Sequence, residues 1–339
     1  MRQVVIASTG KVSVVDAPDP DSPGDLDAVV RVTASAICGS DLHFYDGDIP
    51  VGEPMPIGHE AVGIVEAVGA GVRRFQPGMR VLVASVAGCG ACEGCATLDP
   101  VTCLSGPTVF GAGSLGGAQA QMLSVPAADF QLLEAPDWLD DEAALLLTDN
   151  LVTAWAGAKR ADVPEGGTVL VLGLGAVGLL AVRSALAQGA GQVFAYDPVP
   201  GRRFLAEASG AISVEDPSEL VKRTGGRGVH GVIDAVALDA SLDAALAAVR
   251  AGGTVSVIGV HNLEPYPFPL LLALFRSITL RGTVAPVQQA WPELLSALEQ
   301  GRISTEGIFT HRMSLEDATL AYALAAERSG DVLKILLEV

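Results

Sequence analysis

The sequence is short of charge, at 18%, and of aromatic side chains, at 5%. Half of its residues are hydrophobic, so a disordered chain is excluded, since disorder needs the opposite balance. An aromatic-lined pocket has few candidates, and Phe44, Phe110 and Trp155 are the ones that stand near other chemistry. Five cysteines in 339 residues are too sparse for a disulfide scaffold. With no charged-then-apolar leader at the start, they point to a reducing, cytoplasmic setting. The longest apolar run, 169–182, stops at Arg183, short of the ~20 residues of a membrane span. Cations number 21 against 39 acids, a net charge of -18. No basic face is available for nucleic acid, nor for docking on an anionic membrane. The length accommodates two domains at ~150 residues each.

Four of the five cysteines crowd into one stretch, Cys89-x2-Cys92-x2-Cys95-x7-Cys103. Four thiolates close a tetrahedral zinc site completely, which is the structural arrangement. The intervening Gly88, Gly90, Gly94 and Pro100 let a short backbone wrap a small ion. Unpaired thiols, two local disulfides and an iron–sulfur cluster are the other readings of four sulfurs. A nucleic-acid-binding zinc ribbon would want cations here, and the only charges are Glu93 and Asp99.

The fifth cysteine opens a second constellation. Cys38 begins Cys38-Gly-Ser40-Asp41-Leu-His43, and His59, in Gly58-His59-Glu60, follows 21 residues after it. Much later comes Thr148-Asp149-Asn150. Cys38, His59 and Asp149 offer sulfur, nitrogen and oxygen to one zinc ion, and three protein ligands leave a fourth position open, as catalysis requires. Each residue taken alone also has a plain reading: a buried thiol, a core histidine, and a cap for a helix starting near Leu151.

A phosphate cradle is written at 168–183. The apolar run 169–172 reads as a buried parallel strand, followed by Gly173-x-Gly175-Ala176-Val177-Gly178 and an apolar helix to Ala187. Gly173 permits the turn, Gly175 lets backbone approach a pyrophosphate, and Gly178 lets helix and strand pack closely. The free N–H groups of the helix start face the phosphates. A second strand ends at Asp197, 19 residues after Gly178, where a carboxylate accepts from ribose hydroxyls and repels a 2′-phosphate. That favours NAD over NADP. Arg202 and Arg203 pull the other way, because arginine is what a 2′-phosphate seeks.

From 4 to 86 the chain reads as strands broken by Gly and Pro, in a twisted, mostly antiparallel barrel. From about 155 strands alternate with helices. Expected strands are 169–172, 193–197, 232–235, 254–258 and 278–282, with helices 201–209, 241–249 and 269–275. That alternation implies a parallel sheet. Two more helices, 291–299 and 315–327, and a strand, 332–337, complete the chain.

These residues together resemble a zinc-dependent medium-chain alcohol dehydrogenase over the whole length. The resemblance rests on the segments at 38–43, 58–60, 89–103, 148–149 and 173–178, and on the terminal Val-Leu-Lys334-Ile. It implies an α/β chain with a Rossmann doubly wound parallel sheet (153–286) inserted into a GroES-like β-barrel catalytic domain (1–152 and 287–339). It implies two zinc ions: a catalytic one on Cys38, His59 and Asp149, with Glu60 an exchanging ligand or just behind them, and a structural one on Cys89, Cys92, Cys95 and Cys103. Ser40 is expected to hydrogen-bond the substrate oxygen, His43 to continue the proton path, Thr153 to approach the nicotinamide, and Lys334 to contact the pyrophosphate. Arg202 joins the cofactor-binding set. The expected reaction is hydride transfer between a primary or secondary alcohol and NAD, giving an aldehyde or ketone. The implied assembly is a homotetramer or homodimer. The alternatives are a sorbitol- or threonine-like dehydrogenase, the zinc-free quinone reductase branch, which the intact Cys38, His59 and Asp149 set argues against, and a metal-storing or redox-sensing Rossmann protein.

Overall fold

A computed structural model describes residues 1–51 and 54–339. The chain forms two compact units. The first comprises Met1–Val152, Ala285–Leu294 and Thr305–Val339, and the second Thr153–Val284 and Leu295–Ser304.

In the first unit, Arg2–Ser8 and Lys11–Asp16 form a hairpin, with Met55–Pro56 on its other side. The larger sheet is organised around one long strand, Ala28–Ile37. Along one edge this strand pairs antiparallel with Ala61–Val68. Along the other, its first half pairs with Met122–Val125 and its second half with Ile335–Glu338. The register slips between Val29 and Val30 and again between Val32 and Ala34. Such bulges bend a strand and raise its twist, which lets a single strand serve two partners on one edge. Its alternating side chains fill two cores. Val30, Val32 and Phe110 belong to one, and Ile37, Ile57, Tyr322 and Leu337 to the other.

The expected barrel is present, with one interruption. A short helix, Asp41–Asp46, breaks the strand-like region and ends at Gly47 in the left-handed conformation. The final strand starts at Ile335, later than the pattern indicated. The aromatic candidates for a pocket are core residues instead. Phe110 is fully buried, Trp155 nearly so, and Phe44 packs against the second cluster. Three large rings are worth more inside than lining a solvated surface.

The second unit is a six-stranded sheet, parallel throughout. In spatial order its strands are Ile212–Ser213, Gln192–Tyr196, Thr168–Leu172, Val229–Asp234, Val249–Val257 and Thr279–Gly282. Numbered within the unit, that order is 3-2-1-4-5-6, the doubly wound arrangement of dinucleotide-binding folds. The third strand escapes sequence reading because it has only two residues. One boundary differs from expectation. Residues 295–304 fold with the second unit, because the helix Val287–Glu299 runs from one unit into the other. The division falls inside that helix, which also contains Pro292.

Candidate active site and metal centres

Strand register assembles the first site. Cys38 directly follows Ala28–Ile37, and His59 and Glu60 directly precede Ala61–Val68. These strands are antiparallel with Ser35 opposite Ala61, so their ends meet. Ile335 stands opposite Ile37, which brings Lys334 to the same end. Asp149 arrives between the helices Asp141–Thr148 and Asn150–Arg160. Ser85 pins it there: its backbone N–H donates to the Thr148 carbonyl, and its hydroxyl donates to Asp149 Oδ1 at 3.0 Å.

The ligand atoms of Cys38, His59, Glu60 and Asp149 all lie within 4.8 Å of one another. Asp149 Oδ2 is 3.8 Å from Cys38 Sγ and 3.7 Å from His59 Nε2. At bonds of about 2.0–2.3 Å, tetrahedral zinc holds its ligands about 3.3–3.8 Å apart, so the spacing fits the ion. The electrostatics fit as well. Burial opposes charge on His59, yet Asp41, Cys38 and Asp149 outweigh it and hold the imidazole pKa well above its ordinary value. Burial likewise opposes charge on Asp149, but His59, Ser85 and Lys334 pull it down to about 2. So many buried anions call for a cation among them. One oxygen, Glu60 Oε2, is buried with no hydrogen-bond partner among the described residues. An orphaned carboxylate oxygen facing a cysteine, a histidine and an aspartate is what a metal would satisfy.

Three side chains that sequence reasoning passed over support these ligands. Asp41 Oδ1 lies 3.3 Å from His59 Nδ1, and its Oδ2 accepts from the Cys38 backbone N–H. Gln119 donates to Asp41 and accepts from the Tyr322 hydroxyl. Asn150 donates into the ligand set itself. Asp41 and Asn150 sit inside the quoted motifs, so adjacency was their only sequence signal. Gln119 had none.

Lys334, which the resemblance assigns to a pyrophosphate, is paired with Glu60. Its Nζ is 2.7 Å from Glu60 Oε1, and both residues are buried. Burial pushes each toward its neutral form. Lys334 nonetheless stays above its ordinary value because Glu60, Cys38 and Asp149 surround it with negative charge. Ser40 heads the short helix and His43 follows one turn on, with Nδ1 3.0 Å from Asp48. Thr153 lies buried one turn into the helix Asn150–Arg160.

The second centre is local. Cys89, Cys92, Cys95 and Cys103 converge, with sulfur separations of 3.9 and 4.0 Å across two of the pairs. Those distances are far too long for disulfides and suit the edges of a tetrahedron around zinc. Backbone N–H groups of Cys95 and Leu104 bring Cys92 down to about 6, ready as a thiolate, while burial pushes Cys95 up to about 12. A Cβ at Gly94 would stand 1.9 Å from the Thr102 carbonyl oxygen, so only glycine lets the two limbs of the loop touch.

In the second unit the glycine turn matches its expected geometry. Gly173 has φ +80, and a Cβ at Gly178 would collide with the Gly173 carbonyl oxygen at 1.8 Å. A Cβ at Gly175 would meet nothing within 4 Å, which leaves an open face at the start of the helix Ala176–Ala187. No side chain caps that helix, so the N–H groups of Ala176, Val177 and Gly178 face outward for phosphate oxygens. Asp197 closes the second strand. Its Oδ2 accepts from Leu174 N–H at 2.8 Å, with Arg202 at 3.7 Å and Arg203 on its carbonyl. The cradle fits a dinucleotide.

A metal set built on a strand barrel, together with a nucleotide-binding sheet of this order, defines a zinc-dependent oxidoreductase linked to a nicotinamide cofactor. Comparison with known proteins agrees. The alcohol dehydrogenase GroES-like domain matches residues 24–137, and the zinc-binding dehydrogenase domain matches 176–300. A Mycobacterium tuberculosis protein named a probable zinc-binding alcohol dehydrogenase is 55% identical over 99% of this chain and 88% of its own. Sorbitol dehydrogenase of Bacillus subtilis is 32% identical over 99% and 97%. The solved structure of an alcohol dehydrogenase from Thermus sp. ATN1 is similar over the whole of both chains, with a TM-score of 0.93 and 38% identity. The chain belongs to the zinc-binding medium-chain alcohol dehydrogenase family. It is an enzyme acting on alcohols, aldehydes or ketones, and not a metal store. No helix among the described residues is long and apolar enough to cross a membrane.

Proposed function

We propose that the protein interconverts primary or secondary alcohols with the corresponding aldehydes or ketones, using NAD in preference to NADP. The observation that carries this reading is the convergence of Cys38, His59, Glu60 and Asp149 within 4.8 Å. Cys38, His59 and Asp149 would hold zinc, with Glu60 able to join them. The ion supplies Lewis acidity toward an alcohol or carbonyl oxygen. The cofactor supplies the hydride acceptor or donor. Asp41 orients His59 so that Nε2 faces the set. Ser40 would accept a hydrogen bond from the substrate hydroxyl and relay its proton by giving up its own toward the cofactor ribose, with His43 carrying it on to solvent. In the cofactor cradle, Gly173, Gly175, Ala176, Val177 and Gly178 would receive the pyrophosphate. Asp197 and Arg202 would meet the adenosine ribose, and Thr153 the nicotinamide.

Support for NAD is the buried Asp197 carboxylate, whose charge repels a 2′-phosphate. The assembly proposed is a homo-oligomer, dimer or tetramer. It is supported by the helix Leu270–Arg276, which exposes Leu270, Leu271, Leu274 and Phe275 beside the uncovered edge strand Thr279–Gly282. A cytoplasmic location is supported by five cysteines that form no disulfide among the described residues. A polyol substrate is the second reading, favoured by the likeness to sorbitol dehydrogenase.

The test is NADH formation by zinc-replete protein across primary, secondary and polyol alcohols, with NADP in parallel. Turnover should require Cys38 and His59, while NAD binding survives their replacement. Full activity in Cys38→Ala, or no turnover of any alcohol or carbonyl, would overturn the reading.

A further inference from the structure

We propose that Asn150 is a positioning residue for the catalytic metal set. The inference rests on the zinc reading above and deepens it. One atom, Asn150 Nδ2, lies 2.9 Å from Asp149 Oδ2, 3.2 Å from Glu60 Oε1 and 3.5 Å from Cys38 Sγ. Three of the four members of the set therefore share one donor group. The residue is buried, so water does not take its place.

The geometry fixes which way the amide points. Its nitrogen carries two hydrogens and faces three acceptors, each anionic when a metal is held. With nitrogen and oxygen exchanged, a carbonyl oxygen would press against all three. Bonds from an amide to anions are charge-assisted and stronger than neutral ones. Asn150 is also the first residue of the helix Asn150–Arg160, so its backbone is held by the ladder behind it.

The consequence falls on Glu60. Asn150 and Lys334 both grip Oε1, and Oε2 is left buried and unpartnered. Asn150 thereby decides which carboxylate oxygen is available to the metal, and it tethers Glu60 while Cys38, His59 and Asp149 do the holding. It also joins Cys38 to Asp149 across 111 residues of sequence. Without its donors the only hydrogen bonds that tie Cys38 Sγ, Glu60 Oε1 and Asp149 Oδ2 to one shared atom are lost, and the spacing of the set is no longer fixed from this side.

The experiment compares wild type with Asn150→Ala, which favours the helix, and Asn150→Leu, which keeps the branched shape without the amide. Each is titrated with zinc and, after exchange, with cobalt(II), whose visible spectrum reports ligand identity and geometry. Loss of support behind metal ligands lowers affinity by about 10- to 100-fold, and that drop is expected at the catalytic site of both variants, with the four-cysteine site unchanged. The cobalt bands should shift. A residue that only stabilised the helix would lower the melting temperature and leave the bands where they are. Wild-type affinity and spectrum in either folded variant overturn the proposal, and Asn150→Ala decides the matter should Asn150→Leu not fold. A wild type that binds zinc at the four cysteines alone would instead sink the catalytic-zinc reading.

Discussion

Asp41 Oδ1 stands 3.3 Å from Nδ1 of His59, and this pair fixes the imidazole for metal binding. With Nδ1 turned to the carboxylate, Nε2 is the nitrogen that faces Asp149 and would be offered to a metal. Asp41 is itself held by the Cys38 N–H and by Gln119, whose amide is oriented by the buried Tyr322 hydroxyl. A line of side chains from four separate segments thus ends on one ligand atom.

Asp41→Ala should leave the Nδ1–H of His59 unpaired and free the ring to turn. Zinc affinity at the catalytic site is expected to fall by about 10- to 100-fold, measured by competition with a chelator, while the structural zinc stays bound. Tyr322→Phe should give a smaller loss in the same direction. Unaltered zinc affinity in Asp41→Ala would show that the ring is oriented by packing alone.

Lys334→Met leaves the buried Glu60 carboxylate without its cation. Breaking a buried pair from one side costs about 3–5 kcal/mol, so urea unfolding of the zinc-replete protein should shift by that amount. The double variant Lys334→Met with Glu60→Gln should recover part of it, since no charge is then stranded. A change in NAD affinity with stability intact would place Lys334 at the pyrophosphate instead of at Glu60.

Cys95→Ser removes the most buried ligand of the four-cysteine lobe. Binding free energy at closed zinc sites, about 10–16 kcal/mol in small peptides, is folding free energy for the segment that wraps the ion. The variant should carry one zinc per chain fewer, melt earlier and be cut by protease within 88–104. Turnover per folded, zinc-loaded active site should change little. Full metal content at an unchanged melting temperature would contradict a structural ion.

Phe275 is 84% exposed on the helix Leu270–Arg276. Beside it, the strand Thr279–Gly282 ends its sheet, with no strand on its outer edge among the described residues. Natural proteins cover or charge such edges, and this one carries an apolar surround. Phe275→Glu with Leu271→Glu should convert the assembly to monomers in sedimentation velocity. A wild type already monomeric at working concentration would remove the oligomer from the proposed function.

Much of the molecule is legible where chemistry is local in sequence. The sulfurs of Cys89, Cys92, Cys95 and Cys103 need only a short loop, and the glycines at 173, 175 and 178 need only one turn. In both places backbone length alone brings the groups together. The alternating strands and helices of the second unit declare a parallel sheet because each buried strand is a continuous apolar run. What the sequence could not show is which polar side chains meet across long loops. Lys334 and Glu60 lie 274 residues apart, and nothing periodic links them. Gln119 and Asn150 are common polar residues whose roles depend on the few acceptors they face. Those partners follow from strand register, which places Cys38, His59, Glu60 and Lys334 at one end of three neighbouring strands. Register is set by burial of whole strand faces, a sum over many side chains distributed along the chain, and so only the folded protein decides it.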